Sequence, residues 1–282
     1  NSCDGFRTAG IIWPHYVPAI PLIHRLEFPR KATERGKQFY LEELEMLIQD
    51  LERFCNARIT DFALREAIPI YNRTRKLLGE LYELRKQEAP PISGAETQEV
   101  LDAAGSMPKD EFNKLLEALL KEARTSGRAL EGKTRLMISG SILNNPQFLK
   151  GIEDLGALIV TDDMAPGTRY WSDPVDDDPK RNPLEALASR YLNKFPSASM
   201  LYFEWRADRV YNMAREFRVD GAILLTMRYC LPFIHDRYLL REGLEEQGIP
   251  VLDLDVEYGL PFTGQIMTRV QAFLEMIQDK EL

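Results

Sequence analysis

Four short apolar runs, spaced by helix-length segments, occupy the second half of this 282-residue chain and leave few folds open to it. They are Arg135-Leu136-Met137-Ile138-Ser139, Ala157-Leu158-Ile159-Val160-Thr161, Gly221-Ala222-Ile223-Leu224-Leu225-Thr226 and Val251-Leu252-Asp253-Leu254. Each is too short for a helix and too continuously apolar for a strand with one wet face. Helical spacing fills the intervals, at 146–155, 184–192 and 204–217 and after Phe233, and 264–278 closes the chain. Strands alternating with helices of that length build βαβ units and a parallel sheet covered on both faces. The expectation is an α/β chain whose residues 131–282 form a Rossmann-like, doubly wound lobe.

The first half reads differently. Pro21 to Phe28 predicts a strand, ended by Pro29. Apolar residues at three- and four-residue spacing (Phe39, Leu41, Leu44, Leu47, Ile48, Leu51, Phe54) predict a helix over 35–56. Thr60-Asp61 offers an N-cap for a second long helix reaching about Lys86, and Pro90-Pro91 breaks it. Ser93 and Glu96 have capping-box spacing for a helix stopping near Gly105, and 108–123 forms another. Residues 30–130 are thus a helical bridging region, with helices long enough to join two lobes.

In a doubly wound sheet the loops after the strand carboxyl ends share one rim, where ligands bind. Here that rim would carry Ser139-Gly140-Ser141, residues 162–170, Arg228-Tyr229-Cys230 and 255–259 with Glu257 and Tyr258. Ser139, Gly140 and Ser141 could offer backbone N–H groups to an anion, or be a plain turn. Arg169 with Tyr170 could grip an anionic ligand, or Arg169 could be salt-bridged. Asp162 and Asp163 fit a cap or turn better than a pair of reacting acids. Cys230 follows its strand and precedes the helix opened by Leu231-Pro232-Phe233, and Cys3 stands in a comparable place. Cys55, beside Phe54 at a helix end, reads as structural. His15, His24 and His235 lack zinc-site spacing, and His24 reads as a packed strand residue. No Gly-rich nucleotide loop or nucleophile elbow is present.

The formal charge of −8 excludes a general nucleic-acid surface. No apolar run reaches the ~20 residues that cross a bilayer. Three cysteines are too few for a disulfide framework and predict a reducing, cytoplasmic setting.

Ser2-Cys3-Asp4, Phe39-Tyr40-Leu41-Glu42-Glu43-Leu44, Ile59-Thr60 with Leu64-Arg65-Glu66-Ala67-Ile68 and Tyr71-Asn72, Ile92-Ser93-Gly94-Ala95, Ser139-Gly140-Ser141, Asp162-Asp163 with Gly167-Thr168-Arg169-Tyr170, and Tyr229-Cys230 with Pro232 form an ordered series along the chain. In that order it resembles the 2-hydroxyacyl-CoA dehydratase / benzoyl-CoA reductase family. The resemblance implies two Rossmann-like lobes with a helical layer, 131–282 being the second and 1–29 a remnant of an incomplete first, and a related second subunit. It also implies a 4Fe-4S cluster held by cysteines from both lobes, Cys3 and Cys230 matching two of them and another expected upstream of residue 1. Where relatives often carry cysteine after Asp-Asp-x, this chain has Met164.

The implied reaction starts from an ATP-hydrolysing iron–sulfur activator that passes one electron to the cluster and on to the thioester carbonyl of an acyl-CoA. Dehydration of a 2-hydroxyacyl-CoA follows, or ring reduction in a benzoyl-CoA reductase. A scaffold subunit without catalytic function and a plain α/β ligand-binding domain are the rival expectations.

Overall fold

The structure, a computed structural model, describes residues 3–131, 134–143, 145–257, 259 and 261–279. The first half holds α1 (Asp4–Tyr16), α2 (Glu34–Cys55), α3 (Asp61–Arg85), α4 (Gly94–Ser106) and α5 (Lys109–Thr125). There follow β1 (Thr134–Gly140), α6 (Pro146–Glu153), β2 (Ala157–Asp163), α7 (Thr168–Trp171), α8 (Pro183–Asn193) and α9 (Phe203–Glu216). The chain ends with β3 (Gly221–Met227), α10 (Leu231–Glu246), β4 (Val251–Val256) and α11 (Gly264–Asp279). Two compact units result: Asn1–Asn72 with Asp173–Tyr202, and Arg73–Ser172 with Phe203–Leu282.

The second unit contains the α/β architecture. Its sheet runs β2-β1-β3-β4, and every pairing is parallel. The chain steps outward from β1 to β2, then crosses back over β1 to β3. Connections therefore leave the carboxyl ends of β1 and β3 in opposite directions, which makes the β1/β3 edge a topological switch point. Leu136, Ile138, Ile159, Ile223, Leu225, Leu254 and Val256 pack in one cluster with residues of α4, α6 and α11. Helices α9 and α10 contact each other and the β2, β3 and β4 strands, covering the opposite side. That double cover is why β1, β2 and β3 are buried nearly throughout, whereas β4, at the sheet edge, alternates Leu252, Leu254 and Val256 with Asp253 and Asp255.

Two contacts fix this sheet at its ends. At the switch point Gly140 pairs with Leu225, and a Cβ there would meet the Leu225 carbonyl oxygen at 2.1 Å. At the other end the buried Arg135 guanidinium donates to the carbonyls of Arg85, Gln87, Phe217 and Arg218 at 2.8–3.1 Å. It thereby serves the terminal carbonyls of α3 and α9, which those helices leave unpaired. The same unit holds a helical cluster: Leu77, Leu78, Leu81 and Leu84 of α3 against Leu101 of α4 and Phe112, Leu116 and Leu120 of α5. Ser93 and Glu96 form the expected capping box on α4.

In the first unit Tyr40 of α2 packs with Ala188 and Leu192 of α8 and with Leu26 and Phe28. Asn72 clamps the Val175 backbone on both sides, donating to its carbonyl at 2.8 Å and accepting from its N–H at 2.9 Å.

Two expectations need correction here. Residues 21–29 form no strand; the Glu27 N–H is taken by the Glu43 carboxylate at 2.8 Å, not by a neighbouring strand. His24 is consequently not a strand residue but pairs its Nδ1 with Asp50 Oδ2 at 2.6 Å. Cys55 and Phe54 are exposed at the end of α2.

Candidate functional site

The carboxyl end of the sheet is built around Asp163, the last residue of β2 and fully buried. One of its oxygens pairs with Arg169 Nη1 at 3.0 Å. The other accepts from Ser139 Oγ at 2.8 Å and pairs with Arg206 of α9. Arg169 also donates to the carbonyls of Gly140 and Ser141, at 2.6 and 3.0 Å. Arg206 reaches Asp236 of α10 at 3.1 Å. Two buried guanidiniums thus face two buried carboxylates, the balance that makes internal charges tolerable. Burial lowers the Arg169 pKa from the usual guanidinium value, against the pull of Asp163. Burial likewise pushes the Asp236 carboxyl up to about 6, with Arg206 opposing.

The ring of Phe233, one helical turn after Cys230, lies between the same cations. Arg169 Cζ is 5.2 Å and Arg206 Cζ 5.7 Å from its centroid, within cation–π range. Asp162 does a different job. Its Oδ1 accepts from the Met164 and Thr168 N–H groups at 3.2 and 3.0 Å, and its Oδ2 accepts from Tyr82. Burial raises its pKa, with Arg85 opposing. A Cβ on Gly167 would fall 1.6 Å from that Oδ1, so the Asp-Asp-Met-Ala-Pro-Gly loop closes only with glycine. The turn reading of Asp162 holds.

After β3 the chain reverses in a tight turn. Tyr229 is 85% exposed and takes a left-handed φ of 68°. The Cys230 N–H bonds to the Met227 carbonyl at 2.9 Å. Cys230 is the half-exposed N-cap of α10, and its side chain does not cap the helix. Cys3 is likewise the half-exposed N-cap of α1, its side chain also outside the capping role. Each sulfur stands at the positive end of a helix of 13 or 16 residues, a place that favours anionic groups. Cys3 belongs to the first unit and Cys230 to the second.

Of the residues singled out at the rim, Ser139, Gly140, Ser141 and Arg169 meet around Asp163. Arg169 is 3% exposed, so it braces the Ser139-Gly140-Ser141 loop from inside. Glu257 pairs with Arg228 beside the Cys230 turn. Tyr170 packs against the α3–α4–α5 cluster and borders a surface hollow with Leu101, Gly105 and Pro166. Tyr258 lies outside the described residues. Among the described residues no three His, Cys, Asp or Glu side chains converge as a metal cage. None of their helices is long and apolar enough to cross a membrane.

Arg206 and Asp236 are absent from the sequence-based site. Helical phase carried a signal for both. Arg206 falls on the stripe formed by Ala207, Val210, Met213 and Ala214, all buried in α9. Asp236 falls on the α10 stripe of Phe233, Leu240 and Leu244. A charge on an apolar stripe requires a buried partner.

Residues 1–277 match the family model described as 2-hydroxyglutaryl-CoA dehydratase, D-component. The chain is 28% identical over 281 residues to the (R)-phenyllactyl-CoA dehydratase beta subunit of Clostridium sporogenes, covering 98% of this chain and 74% of that one. It is 30% identical over 263 residues to the beta subunit of the (R)-2-hydroxyglutaryl-CoA dehydratase of Acidaminococcus fermentans, covering 92% and 69%. It is 26% identical over 256 residues to a subunit of the benzoyl-CoA reductase of Thauera aromatica, covering 89% and 66%.

Proposed function

We propose that this chain, which belongs to the 2-hydroxyglutaryl-CoA dehydratase D-component family, is a subunit of an enzyme complex dehydrating 2-hydroxyacyl-CoA thioesters. Two relatives named as dehydratase beta subunits support the reaction and a partner subunit. An ATP-hydrolysing iron–sulfur activator is the electron source that this chemistry requires.

The observation that carries the site is the matched placement of Cys3 and Cys230, each half-exposed at a helix N-cap. Thiolate is the ligand type of iron–sulfur clusters, and a thiolate-bound cluster is anionic, so both positions suit it. Cys3 and Cys230 would each supply a thiolate ligand to a 4Fe-4S cluster. When bound, such a cluster supplies single electrons at low potential to the thioester carbonyl of a CoA ester, which labilises a hydroxyl on the neighbouring carbon.

The chain's own residues do the rest. The Ser139-Gly140-Ser141 segment, Tyr170 and Glu257 border the acyl-CoA cavity in this reading. Arg169 contributes by holding the Gly140 and Ser141 carbonyls inward, which turns the segment's edge toward the rim.

The relative named as a benzoyl-CoA reductase subunit favours aryl-CoA ring reduction as a second reading. Turnover of a 2-hydroxyacyl-CoA and of benzoyl-CoA, each with matched partner subunit, activator and ATP, decides between them. Dehydration alone is the expected result. Ring reduction alone reverses the preference, and activity on neither leaves a scaffold subunit.

A further inference from the structure

The N-terminus of α10 is held more firmly than a helix start requires. The turn before it contains Tyr229 at a φ of 68°, a conformation that a non-glycine residue keeps only where its surroundings enforce it. Its backbone is tied on both sides: Arg228 N–H to the Val256 carbonyl, and Cys230 N–H to the Met227 carbonyl, both at 2.9 Å. Within the first two turns of α10, two side chains reach the charge centre under the sheet rim. Phe233 lies against Arg169 and Arg206, and Asp236 pairs with Arg206. Both guanidiniums are fixed in turn by Asp163. The centre is enclosed, so its consequence at the rim is the position of what it anchors.

We infer that Phe233 and Asp236, through Arg169, Arg206 and Asp163, are positioning residues for Cys230. Sheet and helix α9 are clamped to the first turns of α10, and the sulfur at its N-cap is delivered to one place on the rim. The ligand role of Cys230 rests on the proposed function; the clamp itself rests on the contacts. Its geometry also accounts for the burial of both arginines. A cluster ligand that wandered by a fraction of its bond length would alter the cluster's electronic structure, and a stiff mount prevents that.

Phe233→Leu keeps apolar bulk and loses both ring contacts, and Asp236→Asn keeps shape and loses the ion pair. Amide hydrogen exchange on the cluster-free protein reads the turn directly through the Cys230 and Ile234 N–H groups, both hydrogen-bonded there. Protection at these two amides should fall about tenfold in Phe233→Leu, the size expected from losing desolvated cation–π contacts. Protection at Ile223 and Leu224 in β3 should not change. After cluster reconstitution in the complete complex, both variants should keep iron and shift the electron paramagnetic resonance spectrum. Unchanged protection at Cys230 and Ile234, a loss shared equally by β3, or spectra identical to the parent's would each overturn the inference. Cys230→Ser in the same series separates the two claims: retained iron there defeats the ligand assignment, while the exchange data still judge the clamp.

Discussion

Asp236 Oδ2 lies 3.1 Å from Arg206 Nη1, and through that pair the helix headed by Cys230 joins the charge centre at the end of β2. Burial raises the Asp236 pKa from 3.8 to about 6. The folded protein thus holds this proton more tightly than the unfolded chain does. Its ionisation costs nothing below 3.8, costs progressively more up to about 6, and a constant amount above. Asp236→Asn, neutral at every pH, removes that dependence. Urea unfolding across this window should show the parent gaining stability over the variant as pH falls. Parallel profiles would contradict the assignment.

Arg135→Met should destabilise the second unit by at least about 3 kcal/mol, because several buried carbonyls lose their donor at once. The arginine's stem is replaced, so the loss reflects hydrogen bonds more than volume. Denaturant unfolding with an unchanged slope checks it. A loss under about 1 kcal/mol would mean that other donors serve the ends of α3 and α9.

Glycines at two positions should respond oppositely to alanine. Gly140→Ala drives a methyl into the Leu225 carbonyl and should cost about 1–3 kcal/mol through strand displacement at the switch point. Gly105→Ala, at an exposed position of α4 with nothing within 4 Å of the new Cβ, should stabilise by about 0.5–1 kcal/mol through helix propensity. Thermal unfolding of both variants tests the pair.

The α/β architecture was legible because strands covered on both faces must be apolar at every position, as 157–160 and 221–225 are. Strand order was not legible, since it depends on which strand β3 returns to. The run 21–28 misled because strand composition says nothing about whether a partner strand exists; here Glu43 takes the hydrogen-bonding role at Glu27. Ser139, Gly140, Ser141 and Arg169 meet at one strand end, but Arg169 faces inward. Its partner Asp163 is only six residues away, but the Gly140 and Ser141 carbonyls it also holds come from another strand end. Arg206 and Asp236 were visible only as charges on the apolar stripes of their helices. Their pairing joins residues 30 positions apart, which no local pattern encodes.

The central claim is that Cys230, with Cys3, binds an iron–sulfur cluster. Iron and sulfide analysis of the anaerobically purified complete complex tests it, comparing the parent protein with Cys230→Ser, Cys3→Ser and Cys55→Ser. About four irons per subunit are expected in the parent and in Cys55→Ser, whose thiol is exposed at the end of α2. Cys230→Ser and Cys3→Ser should lose the cluster, because hydroxyl is a poor substitute for thiolate at iron. Full iron content in Cys230→Ser, or an iron-free parent after reconstitution, would contradict the account.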